Sequence, residues 1–242
     1  EEAIQCSTNL VAQRLCPIFQ VSNVTGEGLD RLITFLNVVP PPVQRFKTTG
    51  PVEFEIVETF TVPGVGTVVS GTMVSGKLSL GQAVWLGPDS LGNWTQTQIK
   101  GIHRKRVNVA EALAGQSVSL AIKKVKRSNI HKGMVIIAAD PLAVPALPAG
   151  TPPIFPGRKA CWEFEAEIIV LFHSTTLGPR YQAMLHSGVI RQTVSIISME
   201  REVMRTGDRA KVRFRFVKHP EYVRLGARLV FREGRTKGVG RI

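Results

Sequence analysis

Several features that mark other classes of protein are scarce or missing in this 242-residue sequence. No run of about 18 apolar residues occurs, so the sequence predicts no membrane-spanning helix. The cysteines Cys6, Cys16 and Cys161 are odd in number and far apart, which argues against a disulfide framework or a zinc site. We interpret them as free thiols of a reducing compartment, because the acidic, polar N-terminus is also unlike a secretory signal.

The residues that would hydrolyse a nucleotide are missing as well. The sequence contains no G-x-x-x-x-G-K-[S/T] phosphate loop and no N-K-x-D guanine-binding motif. We therefore predict that this chain has no catalytic residues and no GTP hydrolysis of its own. The histidines show neither metal-ligand nor triad spacing, so we predict no metal site; they are His103, His131, His173, His186 and His219.

Positive charge is what the sequence has in excess. It carries 31 Lys and Arg against 18 Asp and Glu, a net charge of +13. The segment 158–242 alone has 17 basic and 8 acidic residues, whereas the segment 1–40 is acidic, with 2 basic and 4 acidic residues. This balance favours a polyanionic partner, and nucleic acid is the first candidate. A basic barrel surface that is simply solvated is the alternative.

The stretch Thr59 to Gln82 indicates the fold class. It alternates β-branched residues with glycines, which disfavours a helix and is typical of short, twisted strands joined by tight turns. Further strand patterns follow, and the segment Arg209 to Val217 alternates apolar with basic residues. We therefore predict a mainly β chain with two consecutive small antiparallel barrels, at residues 49–140 and 158–242, separated by a proline-rich insertion at 141–157.

The segment 1–45 has a different pattern. Residues 1–14 favour a helix end, and the apolar run Cys16 to Val21 predicts a buried strand. A polar loop follows, and apolar residues at helical spacing from Leu29 to Leu36 predict a helix capped by Thr25 or Gly26. The three prolines at 40–42 would end that helix.

The order of these motifs resembles a known family. The stretch PGVGTVVSGTMVSGKLSLGQ closely resembles the second-domain signature of translational GTPases of the elongation factor Tu class. FEAEI, MRTGD and RLVFREGRTKGVG resemble motifs of its third domain in the same order, and SNVTGEG and IHRKR are similar to the GTPBP-type branch. The resemblance implies translation-factor domains II and III after the strand–helix end of a GTPase domain. We therefore expect the C-terminal part of a longer protein, as the missing initiator Met also suggests.

The resemblance also implies functional residues. A guanine-side loop is partly matched by Ser22, Asn23 and Val24, while GTP and magnesium are expected for the full-length parent. The implied partners are aminoacyl-tRNA or other RNA, the ribosome and the parent's own GTPase domain, in cytoplasmic tRNA handling, ribosome surveillance or mRNA turnover. The implied RNA-binding candidates are His103, Arg104, Lys105, Arg106, Ser117, Arg180, Arg232 and Arg235.

Other interpretations stay open from the residues alone. The chain could be a stand-alone RNA-binding module or a protein scaffold built from two barrels. The IHRKR run could be an ordinary solvated turn. We interpret the second basic cluster, which consists of Lys123, Lys124, Lys126 and Arg127, as a solvated face rather than an RNA contact.

Overall fold

A computed structural model of the chain describes residues 2–11, 16–39, 46–138 and 160–242. Its contacts divide the chain into two compact units, at 1–45 and Phe46–Ile242. The prolines at 40–42 and the proline-rich insertion predicted at 141–157 lie outside the described residues. Neither described helix has the length and apolar character needed to cross a membrane. The mainly β fold class is confirmed.

The N-terminal unit contains two helices, α1 (Glu2–Val11) and α2 (Leu29–Val38). The predicted cap of α2 was wrong, because the helix begins after Gly28, which has a φ of 76° and provides no side chain. A Cβ atom on Gly28 would lie 2.3 Å from the carbonyl oxygen of Gln20. Glycine is therefore required here both by its left-handed backbone and by the close approach of the preceding segment.

The predicted buried strand at Cys16–Val21 is wrong, because the segment is not a strand and most of its residues are exposed. This segment forms no ladder with any other strand in the described parts of the chain, and Ile18 is 92% exposed. Its one aromatic contact among the described residues is between Phe19 and Phe35, with ring centroids 5.1 Å apart. A strand needs a neighbour to satisfy its backbone hydrogen bonds, and the described residues of the N-terminal unit provide none.

The first barrel is closed by six antiparallel strands in the order β4-β9-β1-β2-β8-β5, with β5 pairing back to β4. Three shorter strands and a 3-10 turn at Arg127–Asn129 complete it. The strands are β1 (Glu53–Val62), β2 (Gly66–Ser75), β3 (Lys77–Ser79), β4 (Ala83–Gly87), β5 (Thr95–Arg104), β6 (Val107–Asn108), β7 (Glu111–Leu113), β8 (Ser117–Ile122) and β9 (Val135–Ala138).

The glycines of the Thr59–Gln82 stretch allow this barrel to close tightly. A Cβ atom on Gly71 of β2 would lie 1.8 Å from the carbonyl oxygen of Glu55 on β1. Only glycine therefore permits the observed pairing at this point of the wall. Alternate residues of the strands point inward and form one apolar core, which includes Phe54, Ile56, Met73 and Leu120.

The second barrel is also closed, in the order β11-β14-β13-β12-β16-β17. The predicted alternation of β14 is confirmed, since its apolar residues are buried and its basic residues are exposed. Two short strands pair beside the barrel. The strands are β10 (Ala160–Cys161), β11 (Glu163–Phe172), β12 (Gln182–Ser187), β13 (Ile190–Met199), β14 (Arg209–Phe216), β15 (Glu221–Tyr222), β16 (Arg228–Glu233) and β17 (Thr236–Arg241).

Candidate nucleic-acid interface

A pocket of about 590 Å³ lies on the outer surface of the first barrel. Strand register places Ser70, Ser119 and His103 in one row across β2, β8 and β5. Their polar groups stand beside an apolar floor, a combination typical of pockets that take a flat organic ligand. The floor consists of Val62, Val65, Val68, Val118 and Ala121.

The basic rim of this pocket is formed by the two-residue turn between β5 and β6. Arg104 pairs with Val107, which leaves Lys105 and Arg106 as the turn residues. Their φ angles are 50° and 67°, so both adopt the left-handed backbone that Asn-Gly usually supplies in such hairpins. The turn presents both side chains at the pocket, although neither residue type favours this conformation.

The structure brings four of the predicted RNA-binding residues to this pocket: His103, Lys105, Arg106 and Ser117 all line it. Ser117 is anchored there, since its hydroxyl donates a hydrogen bond to the carbonyl oxygen of Gly71 at 3.2 Å. Arg104 is exposed but does not line the pocket, because successive residues of a strand point to opposite sides. Sequence reasoning missed Ser70, Ser119 and the valines, which carry no charge or motif signal of their own.

The residues of the basic turn and its neighbours on β5 differ from the cations of β14 in having no partners. Within the described residues, His103, Arg104, Lys105 and Arg106 form no ion pair and no side-chain hydrogen bond. On β14, by contrast, Arg209 lies 2.8 Å from Glu167 and Arg213 lies 2.8 Å from Glu163. The charge that is available to an anionic ligand is therefore concentrated at the rim rather than on the arginine-rich face of β14.

The remaining predicted RNA-binding residues lie on the second barrel. Arg232 is on β16, Arg235 is in the turn that follows, and Arg180 precedes β12, the strand that pairs with β16. All three are exposed, and none forms an ion pair within the described residues. Burial lowers the pKa of His186 on this face, and the charges of Arg232 and Arg191 act in the same direction.

A second basic groove on the first barrel was not predicted as a site. Lys100 comes from β5, and the other four cations come from the segment after β8, where Lys124 has a φ of 58°. Lys100 is partly engaged, since its Nζ donates to the carbonyl oxygen of Val65 at 3.3 Å. The sequence showed the cluster but not that Lys100 joins it. The cations of the groove are Lys100, Lys123, Lys124, Lys126 and Arg127.

The guanine-side candidates form a compact turn in the N-terminal unit. The Ser22 hydroxyl accepts a hydrogen bond from the Thr25 amide at 3.2 Å, and the Gly26 amide donates to the Ser22 carbonyl oxygen at 2.9 Å. Asn23 and Val24 are exposed at the tip. The turn therefore presents its tip to solvent, as a loop that contacts a ligand through its backbone amides requires. No group of three or more His, Cys, Asp or Glu in the described residues is arranged to hold a metal.

The β5–β6 turn allows a test that separates the effect of its backbone strain on stability from the effect of its charges. We expect the double substitution Lys105→Asn and Arg106→Gly to raise the free energy of unfolding by about 1 kcal/mol, because the new residues favour the left-handed backbone. Lys105→Val is the control and should lower it by about 1 kcal/mol, since a branched side chain is strained at positive φ. Urea denaturation measures both. A less stable Asn-Gly variant would show that the two cations support the fold.

The chain is similar to known proteins along its whole length. Residues 66–137, which contain most of the first barrel, match the family of elongation factor Tu domain 2. GTP-binding protein 1 of Xenopus laevis is 52% identical over 242 residues, which is 100% of this chain and 35% of that protein. GTP-binding protein 2 of Homo sapiens is 40% identical over 231 residues, covering 93% of this chain and 36% of that protein.

More distant relatives follow the same pattern. Elongation factor 1-alpha of Pyrobaculum calidifontis is 24% identical over 189 residues, covering 77% of this chain and 38% of that protein. The chain thus spans between a third and two fifths of the length of these relatives. The predicted resemblance is confirmed: the first barrel matches the family of elongation factor Tu domain 2, and the whole chain is similar to a part of GTP-binding proteins 1 and 2.

Proposed function

We propose that the first barrel holds the 3′ end of an aminoacyl-tRNA or a similar RNA in the pocket between β2, β8 and β5. The observation that carries this proposal is the joining of an apolar floor to a rim of unpaired cations. A base can lie against the valines, while Lys105 and Arg106 meet the adjacent phosphates. The hydroxyls of Ser70, Ser117 and Ser119 are positioned to contact polar edges of the ligand.

The second barrel extends this interface along the body of the RNA. The unpaired cations Arg180, Arg232 and Arg235 are suited to phosphate contacts, which need charge but no sequence reading. Few exposed aromatic residues are available for further stacking in the described parts of the chain, so phosphates dominate the proposed contact. In the parent protein we place this module beside a GTPase domain that binds GTP and magnesium, with Ser22, Asn23 and Val24 on the guanine side.

The names of the relatives support a role with GTP, since GTP-binding proteins 1 and 2 match over 93% or more of this chain. We propose that the parent acts on tRNA or ribosomes in the cytoplasm, in tRNA handling, ribosome surveillance or mRNA turnover. Hydrolysis itself belongs to residues outside this chain, because a phosphate loop is missing from the sequence.

The test compares one tRNA with and without its terminal 3′ nucleoside. We expect the intact tRNA to bind at least about fivefold more tightly, because one base in contact with the pocket contributes at least about 1 kcal/mol. His103→Ala should remove most of this preference while leaving the binding of the shortened tRNA unchanged. Equal affinity of the two tRNAs for the unaltered protein would exclude the pocket as the 3′-end site. An affinity that does not depend on salt would favour a protein scaffold instead.

A further inference from the structure

The two barrels meet in a joint to which both contribute titratable side chains. Arg224, between the β15 and β16 strands of the second barrel, binds Glu55 of the first barrel and lies 3.1 Å from Glu53. Trp94 of the first barrel meets Tyr222 of the second edge to face, with ring centroids 6.0 Å apart. We call the contact zone the joint; its members are Glu53, Glu55, Trp94, His131, Gly133, Gln192, His219, Glu221, Tyr222 and Arg224.

Glu221 is the centre of the joint, and it is only 1% exposed. Its Oε1 accepts a hydrogen bond from Gln192 Nε2 at 2.8 Å and lies 3.4 Å from His219 Nδ1. Its Oε2 has no hydrogen-bond partner within the described residues. The first barrel covers this oxygen, since a Cβ atom on Gly133 would lie 3.1 Å from it. Burial raises the pKa of Glu221 to about 7, although the Gln192 hydrogen bond acts in the opposite direction.

Two histidines, one from each barrel, complete the centre. The rings of His131 and His219 have centroids 4.4 Å apart at an angle of 42°. His131 Nδ1 lies 3.0 Å from the carbonyl oxygen of Lys132, while its Nε2 is buried without a partner among the described residues. Burial, the neighbouring His131 and Lys218 lower the pKa of His219, although a backbone hydrogen bond at Pro220 acts in the opposite direction. Two charged imidazoles at this distance would repel each other across the joint.

The other charged groups around the centre do not neutralise Glu221. Arg224 is engaged by Glu53 and Glu55, and no lysine or arginine of the described residues forms an ion pair with the Glu221 carboxylate. Cys161 donates its thiol to the Glu221 carbonyl oxygen at 3.5 Å, and burial raises the pKa of that thiol. The Oε1 atom of Gln192 already accepts two hydrogen bonds, from the backbone amides of Lys218 and His219. An ionised Glu221 would therefore be a buried charge with incomplete compensation.

We propose that the joint is a proton-sensitive contact between the barrels, tightest when Glu221 is protonated and His219, which packs on His131, is neutral. The direction of the pH effect follows from the two environments of the Glu221 carboxyl, buried in the closed joint and solvated in the open one. In the closed joint Glu221 keeps its proton up to about pH 7, whereas a solvated glutamate carboxyl releases its proton at about pH 4.5. The stabilisation of the closed joint by this group is complete at low pH and is lost as pH rises through about 7. His219 acts in the opposite direction, since its pKa is lowered in the closed joint and its protonation at low pH favours opening.

This inference goes beyond the proposed function and needs no RNA. The pocket lies on the first barrel, and Arg180, Arg232 and Arg235 lie on the second. A change at the joint therefore alters how two basic surfaces are held relative to each other. A long RNA that contacts both barrels would be bound with a pH dependence that a short RNA in the pocket would not show.

The experiment uses fluorotryptophan-labelled protein and fluorine NMR. The chain has three tryptophans, so Trp94 at the joint can be assigned by comparison with Trp94→Phe. Its signal reports the populations of closed and open joint. We expect the equilibrium constant for opening of the unaltered protein, divided by that of Glu221→Gln, to rise about tenfold from about pH 6 to about pH 8, because the variant lacks the carboxyl that loses its proton in this range.

Two further variants keep the proposal falsifiable. Glu202→Gln removes an exposed carboxyl of the second barrel and should leave the pH response of Trp94 unchanged. His131→Phe keeps a ring against His219 and should remove part of the response below neutral pH. A Trp94 signal that does not change with pH would overturn the proposal, as would an unaltered response in Glu221→Gln. If Glu221→Gln fails to fold, a carbon NMR titration of Glu221 in the unaltered protein decides, and a pKa near 4.5 there would also overturn it.

Discussion

Removing the positive charges of the β5–β6 turn is expected to weaken RNA binding by about 1–3 kcal/mol, or roughly fivefold to a hundredfold. The variant combines Arg104→Gln, Lys105→Asn and Arg106→Gly, so the turn keeps residues that favour its left-handed backbone. These cations have no partners in the described structure and are therefore free to meet phosphates. Titration of tRNA at two salt concentrations should also show a shallower salt dependence, by about one unit of slope for each phosphate that the variant no longer neutralises.

The matched control removes the same amount of charge from β14. Arg209→Gln, Lys211→Gln and Arg213→Gln also reduce the net charge from +13 to +10, but they remove cations that face Glu167, Glu200 and Glu163. We expect affinity to fall by about twofold or less, since distant exposed charges are screened. An equal fall in affinity for the two variants would mean that only net charge matters. An unchanged affinity in the turn variant would exclude the turn as a contact.

Truncating Phe214 to alanine is expected to destabilise the second barrel by about 3–5 kcal/mol. Phe214 lies on β14, is 1% exposed and stacks on Phe164 with ring centroids 5.5 Å apart. It also meets Phe231 at 6.1 Å, so the ring connects three strands of the closed wall. Deleting it leaves a cavity that the neighbouring strands cannot fill without breaking their ladders, and urea denaturation followed by circular dichroism measures the destabilisation.

Phe60→Ala provides the comparison for this core substitution. Phe60 lies on β1 of the first barrel and is 43% exposed, so its truncation should lower the free energy of unfolding by no more than about 1 kcal/mol. If Phe214→Ala cost as little as Phe60→Ala, the second barrel would not depend on its aromatic core. The basic turn of the first barrel should be unaffected in either case when both barrels remain folded.

Local pattern was a reliable guide wherever one signal dominated. The alternation of β14 predicted both its apolar inner face and its basic outer face, because a strand has a period of two. The same pattern could not show that Glu163 and Glu167 of β11 lie opposite those cations. Pairing of distant strands thus decided which positive charges are free for a ligand. The net charge of +13 does not contain that information.

The N-terminal unit shows where local pattern misleads. The apolar run at 16–21 has the composition of a buried strand, yet no strand is present among the described residues of this unit to pair with it. A cap at Thr25 or Gly26 was expected for α2, but the helix begins after Gly28, where the close approach of Gln20 requires glycine. In both places the contacts of the surrounding chain outweigh the local propensity.

The sequence by itself determined the mainly β class, the order of the two barrels and the basic turn at 103–106, because alternation, glycine spacing and charge are local signals. Only the tertiary structure decided that His103, Lys105, Arg106 and Ser117 line one pocket with five aliphatic residues from separate parts of the chain. It alone brought Glu221 and His219 of the second barrel against Gly133 and His131 of the first. Such contacts join residues far apart along the chain, and their register is set by the closure of each barrel rather than by any neighbouring residue.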